Sequence, residues 1–150
     1  MVYIESNLSP NEEIIYKGEI HLFYKYVPII GIVIGFIFMI SLGDRAMVGF
    51  IIFIFSLVHL LSILSTEIAI TNKNIIYKTG IISRNVFELQ LSKVESVLLD
   101  QSIFERIIGA GTLIISGTGG HNKPIIKLAD SAKMKTIIYN EIENNKKTSN

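Results

Sequence analysis

Two long apolar runs fill the first half of the chain, and short alternating runs fill the second. Val27 to Leu42 (VPIIGIVIGFIFMISL) holds no ionisable group, and Ala46 to Leu64 (AMVGFIIFIFSLVHLLSIL) holds only His59. A core helix of a soluble protein, the alternative for such runs, would leave a polar face at 3.6-residue spacing; these segments are apolar all round, as helices in lipid need to be. The pattern therefore predicts two membrane helices over 27–64. The first run alone covers about 24 Å at 1.5 Å per residue, and Leu22, Phe23, Tyr24 and Tyr26 lengthen it enough to cross a hydrocarbon core of roughly 30 Å. Pro28 suits a helix entrance. The polar turn Gly43-Asp44-Arg45 is short enough to join only antiparallel neighbours, which makes the unit a transmembrane hairpin preceded by an N-terminal segment, residues 1–26.

From Thr66 onwards the period changes. Glu67 to Thr71, Ile75 to Thr79, Ser83 to Leu89, Val94 to Asp100, Thr112 to Ser116 and Ile125 to Leu128 are β-type runs bounded by turn residues, predicting an antiparallel meander. Between the fourth and fifth runs, Ser102 and Glu105 have capping-box spacing and Gly109 can stop a helix over Ile103 to Ile108. That connector is expected to turn Ile103, Phe104 and Ile107 inwards, with Asp100 and Arg106 pairing across it. Asp130 or Ser131 then caps a helix whose Met134, Ile137, Ile138 and Ile142 form one stripe, expected to cover its own sheet, while 145–150 reads as a disordered tail.

The stretch Glu67 to Gly120 carries the ordered series Ile70-Thr71-Asn72, Tyr77-Lys78-Thr79-Gly80, Leu91-Ser92-Lys93-Val94-Glu95-Ser96-Val97, Asp100-Gln101-Ser102 and Gly109-Ala110-Gly111-Thr112. This series resembles the bacterial pleckstrin-homology-like (PH-like) domains of the YdbS/YdbT type, as does the layout of an Asn11-Glu12-Glu13 to Gly18 segment, a membrane hairpin and then the domain. The resemblance implies an α+β protein: an N-terminal transmembrane α-helical hairpin followed by a PH-like antiparallel β-barrel or sandwich over 66–144, closed by the C-terminal helix and held at the membrane. It implies a fold and a location, not an activity.

Composition narrows the function. The chain of 150 residues is 49% hydrophobic and only 18% charged, with mean hydropathy +0.47 and net charge +1. Disorder and bulk nucleic-acid binding are poor fits. With no cysteine there is no disulfide, thiolate metal site or cysteine nucleophile. The opening is polar and acidic from Glu5 to Glu13, unlike a cleaved signal peptide. Lys17, Lys25, Lys73 and Lys78 flank the hairpin, against Arg45 in its turn, so the positive-inside rule places both termini in the cytoplasm of a multi-pass plasma-membrane protein.

Candidate chemistry is sparse. His21, His59 and His121 lie in three unrelated contexts, with no second ligand nearby, which argues against a metal site. No paired carboxylates, Ser/His/Asp set or nucleophile elbow appears, so no catalytic or cofactor-binding residue is assigned and an enzyme is not expected. Gly117-Thr118-Gly119-Gly120 lacks the strand-to-helix setting and the lysine of a phosphate loop, and reads as a hairpin. Gly31 and Gly35 form a GxxxG pair suited to close helix contact, near Ser56 of the second helix or in a dimer, and His59 is expected as a polar residue near the bundle interior. Residues 66–150 carry 11 basic and 8 acidic side chains. Lys73, Lys78, Arg84, Lys123 and Lys127, with Lys133 and Lys135, are therefore candidates to face anionic lipid.

These readings converge on an integral membrane protein whose cytoplasmic PH-like domain serves protein–protein interaction or assembly at the membrane. The expected partners are the bilayer and a membrane protein or a second copy, with contact at an exposed strand edge and the Glu12 to Lys17 run pairing with such an edge. An anionic-lipid-sensing module, or an accessory subunit of a membrane transporter or enzyme, are the alternatives.

Overall fold

The structure, a computed structural model, describes residues 2–40, 45–80, 84–118 and 121–148. The expected turn at Gly43-Asp44, the start of a strand at Ser83 and the Gly119-Gly120 pair lie outside them. In chain order the elements are α1 (Val2–Ser6), β1 (Ile14–Gly18), α2 (Leu22–Ile40), α3 (Arg45–Leu64), β2 (Glu67–Thr71), β3 (Asn74–Thr79), β4 (Asn85–Gln90), β5 (Val94–Asp100), α4 (Ile103–Ile108), β6 (Ala110–Gly117), β7 (His121–Ala129) and α5 (Ser131–Thr148). A single 3₁₀ turn, Leu91–Lys93, joins β4 to β5.

α2 and α3 pack antiparallel, and most of their side chains point outward: only 11% of each apolar window is buried. Mean hydropathy of 2.0 over Leu22–Ile40 and 2.6 over Ala46–Leu64, with 19 residues in each, makes both long and apolar enough to cross a membrane. α2 begins earlier than the polar Lys25 suggests, so Pro28 sits inside the helix rather than at its entrance, and the Tyr24 carbonyl has no amide four residues on to receive.

The remainder is two antiparallel sheets, ordered β1-β2-β3-β4 and β5-β6-β7. The N-terminal segment is part of this domain. β1 pairs with β2, Lys17 opposite Ala69 and Gly18 opposite Ile68, and α1 lays Ile4 on Ala69 and Ile76 over the outer face of the first sheet. Just beyond β1 the chain crosses to the second sheet: the Ala129 amide donates to the Glu19 carbonyl at 2.8 Å, the His21 amide to the Lys127 carbonyl at 2.8 Å, and Ile20 bridges Leu128. The sheets are thus joined along β1 and β7 but not along β4 and β5, an open sandwich rather than a closed barrel. Between them Ile68, Ile70, Ile75, Val97, Leu113, Ile115, Ile125 and Leu128 alternate inward to form the core. α5 covers one face with Met134 and Ile138, both fully buried, and it continues through 145–148, where a disordered tail was expected.

α4 has the anticipated ends. Ser102 accepts from the Glu105 amide while the Glu105 carboxylate accepts from the Ser102 amide at 2.9 Å, and Gly109 closes the helix at φ 77°. Replacing Ser102 by alanine is expected to destabilise this single turn by about 1 kcal/mol. The readout is amide hydrogen exchange at Arg106, whose N–H donates to the Ser102 carbonyl: it should quicken roughly five-fold. The orientation of α4 is the reverse of the expected one. Ile103, Phe104 and Ile107 are 85%, 50% and 78% exposed, because β5 and β6 already fill the interior with their own alternating residues. Nor do Asp100 and Arg106 pair among the ion pairs of the described residues; the Tyr24 hydroxyl donates instead to Glu105 Oε1 at 2.8 Å, tying α4 to the first turn of α2.

Candidate functional site

The topology gives the domain two ends. β2 leaves the hairpin at Glu67, and β3 returns towards it at Thr79; the Thr71–Asn74 turn therefore lies at the far end, with the 3₁₀ turn and the β6–β7 connection. The five basic candidates do not share one surface in this frame. Lys73 and Lys123 lie towards the far end, Lys73 donating to the Pro10 carbonyl at 2.9 Å. Lys78 is buried, its Nζ 3.0 Å from Glu67 Oε1. Only Arg84, stacked 5.9 Å from the Tyr3 ring, and Lys127, 5.0 Å from the Tyr24 ring, remain near the hairpin. Lys133 and Lys135, on α5, rest over the rings of Tyr16 and Tyr139.

Within the hairpin, Gly31 faces Ser56, and Gly35 lies against the backbone of Phe53 and of Gly49. His59 is on the exposed side of α3, not between the helices. Gly49, which sequence reasoning passed over, is the third glycine of this contact: a Cβ built there would stand 2.4 Å from the Met39 nitrogen. Its only sequence signal is smallness in an apolar run.

The open seam between β4 and β5 exposes a strand edge that runs from Val86 at the hairpin end to Gln90 at the far end. The Leu91 amide donates to the Lys73 carbonyl at 2.8 Å, which sets the phase of the β3–β4 ladder. Phe87 and Leu89 then turn their backbone polar groups towards β3, and Val86, Glu88 and Gln90 turn theirs to the open side. Beside this edge lies a groove of about 650 Å³ floored by Leu91 and Val94 and walled by Asn74, Gln90, Ile142 and Asn145. Its rim is held by Glu12, whose Oε1 accepts from Thr71 Oγ1 at 2.6 Å and Asn74 Nδ2 at 3.0 Å while Oε2 accepts from the Ser9 amide at 3.0 Å. Burial raises the Glu12 pKa, but these donors outweigh it and hold the carboxyl below its usual range. Asn74 Nδ2 also donates to Glu88 Oε1 at 2.8 Å, linking the rim to the edge strand. Neither the groove nor the role of Glu12 is legible locally, since Glu12 meets Thr71 and Asn74 about 60 positions along and the groove's walls come from β3, β4 and α5. Among the described residues no group of three or more His, Asp or Glu gathers to hold a metal.

Two antiparallel sheets with a C-terminal helix across them define a PH-like domain, here interrupted after its first strand by an apolar helical hairpin. The family model described as bacterial PH domain matches residues 20–142, hairpin included, and the chain belongs to that family. Searches of curated proteins and of solved structures found no match.

Proposed function

We propose that the chain is an integral membrane protein whose hairpin crosses the plasma membrane and holds the PH-like domain at the cytoplasmic face, where the β4 edge receives an extended segment of a membrane-protein partner or of a second copy. The observation that carries this reading is the free edge of β4 beside the Leu91–Val94 groove. Three outward-facing backbone units offer ladder hydrogen bonds, and the groove offers a pocket for a side chain of the added strand. The tether favours such contacts by confining both partners to one surface, which raises their effective concentration without any added affinity. The separation of Lys73 and Lys123 from Arg84 and Lys127 argues against lipid sensing by a single basic face.

Gln90 provides the test. Its φ of −63° already suits proline, and its amide faces the open side, so Gln90→Pro removes one edge donor without disturbing β3. In full-length protein in native membranes, a photo-crosslinking residue at the exposed Val86 should capture a discrete adduct. Gln90→Pro should reduce that adduct several-fold while shifting unfolding by no more than about 0.5 kcal/mol. Equal capture from exposed Thr136 on α5 and from Val86 would sink the reading.

A further inference from the structure

The most exposed large apolar side chains among the described residues are Ile103 at 85% and Ile107 at 78%. The next two, Phe55 at 75% and Met47 at 74%, are on the hairpin. α4 thus presents to its surroundings the surface that α2 and α3 present to theirs. This face is held in place: the capping box fixes the start of the helix, Gly109 fixes its end, and Gln101 Nε2 donates to the Ala110 carbonyl at 2.6 Å across its base.

The position of α4 says what covers it. The helix joins the hairpin ends of β5 and β6, and Phe104 packs edge-on against Phe23, ring centres 5.1 Å apart, in the first turn of α2. The Tyr24–Glu105 hydrogen bond holds it at that level. Ile103, Phe104 and Ile107 are therefore continuous with the exposed Leu22 and Phe23, where an apolar helix would enter a bilayer. Polar groups ring the same level: Arg106 is exposed on α4, Lys25 lies one turn into α2, and Lys127 rests over Tyr24. Cations beside an apolar face, at the depth of aromatic rings, match the chemistry of the headgroup–acyl boundary.

We propose that α4 is an in-plane membrane element, with Ile103, Phe104 and Ile107 seated among the acyl chains of the leaflet that α2 enters and α3 leaves. It rests on the reading that the hairpin crosses the bilayer, and adds a third point of contact to the two helix ends. Three contacts fix a plane where two leave a hinge, so the domain is held with the Leu91–Val94 groove and the Gln90 end of the β4 edge turned away from the lipid.

The absence of native cysteine makes the test direct. Full-length protein carrying one of Ile107→Cys, Phe55→Cys or Lys146→Cys is labelled with an environment-sensitive fluorophore and placed, one copy per particle, in nanodiscs of mixed phosphatidylcholine and phosphatidylglycerol. Quenching by acyl-chain nitroxide lipids is compared with quenching by aqueous iodide; Ile107→Cys leaves Ile103 and Phe104 in place. The label at 107 should be quenched by shallow nitroxides and shielded from iodide at least five-fold relative to that at 146, with the label at 55 quenched by deep ones. Iodide access at 107 equal to that at 146, with 55 still lipid-quenched, overturns the inference and leaves the hairpin reading standing. Shielding at 107 only in particles holding two copies assigns the face to a second chain and overturns it too. Iodide access at 55 removes the hairpin reading and the inference together.

Discussion

Glu67→Ala is expected to cost about 3–5 kcal/mol, because it strands the ammonium of Lys78 in a site where only 10% of that side chain reaches solvent. The carboxylate serves two structures. Oε1 takes Lys78 at 3.0 Å, and Oε2 accepts the Ile4 amide at 3.1 Å, so it also docks α1 on the sheet. Thermal unfolding of the full chain in mild detergent measures the loss. The double variant Glu67→Leu, Lys78→Met should recover most of it, since apolar replacement of a whole buried pair is close to neutral. The double variant should not restore hydrogen-exchange protection at the Ile4 amide, which separates the ion pair from helix docking.

The same carboxylate gives the stability its pH dependence. Burial pushes the Glu67 pKa up, but the Ile4 amide and Lys78, together with the Tyr3 amide, outweigh it and hold the group below the usual glutamate range. A folded-state pKa below the unfolded one, roughly 4.3, means that the contribution is complete above the unfolded value and is lost as pH falls through the folded one. Glu12 is shifted in the same direction by its own donors. Unfolding temperature should therefore stay level near neutrality and fall below about pH 4, with a shallower acid limb in the Glu67→Leu, Lys78→Met variant.

Gly49→Leu should force the hairpin apart. A Cβ at 49 would lie 2.4 Å from the Met39 nitrogen and 2.7 Å from the Gly35 carbonyl oxygen, and one at Gly35 would lie 2.6 Å from the Phe53 nitrogen. Backbone cannot rotate aside as a side chain can, so the cost belongs at the top of the range for overpacking, about 3 kcal/mol. Gly31→Ala is the informative comparison: its nearest neighbour is Ser56 Oγ at 2.3 Å, a side-chain atom. It should be the milder change, and Ser56→Ala should relieve it in part while doing nothing for Gly49→Leu. Unfolding temperatures of the four variants in one detergent decide the matter; equal losses at 31 and 49 would mean that the helices do not meet along this glycine face.

What sequence determined here is whatever depends on near neighbours. Apolarity sustained over 19 residues specifies a helix without a polar face, alternation specifies a strand with one buried side, and Ser102, Glu105 and Gly109 specify both ends of α4 through bonds spanning three or four positions. The order of the β2-to-β7 strands, the covering helix and the family resemblance follow from such signals. Tertiary structure decided which way each surface faces. Ile103, Phe104 and Ile107 have the composition of a core stripe, yet they turn outward because the strands had already filled the interior and Phe23 stood beside them. Lys78 looks like a surface cation, yet Glu67, eleven residues earlier, draws it inside. The 1–26 segment carries little periodicity, but its β1 on the first sheet and the Glu19–His21 run that follows on β7 close one side of the sandwich, leaving the other side open at β4. In each case the deciding energy is a contact between residues distant in sequence, and a local pattern has no term for it.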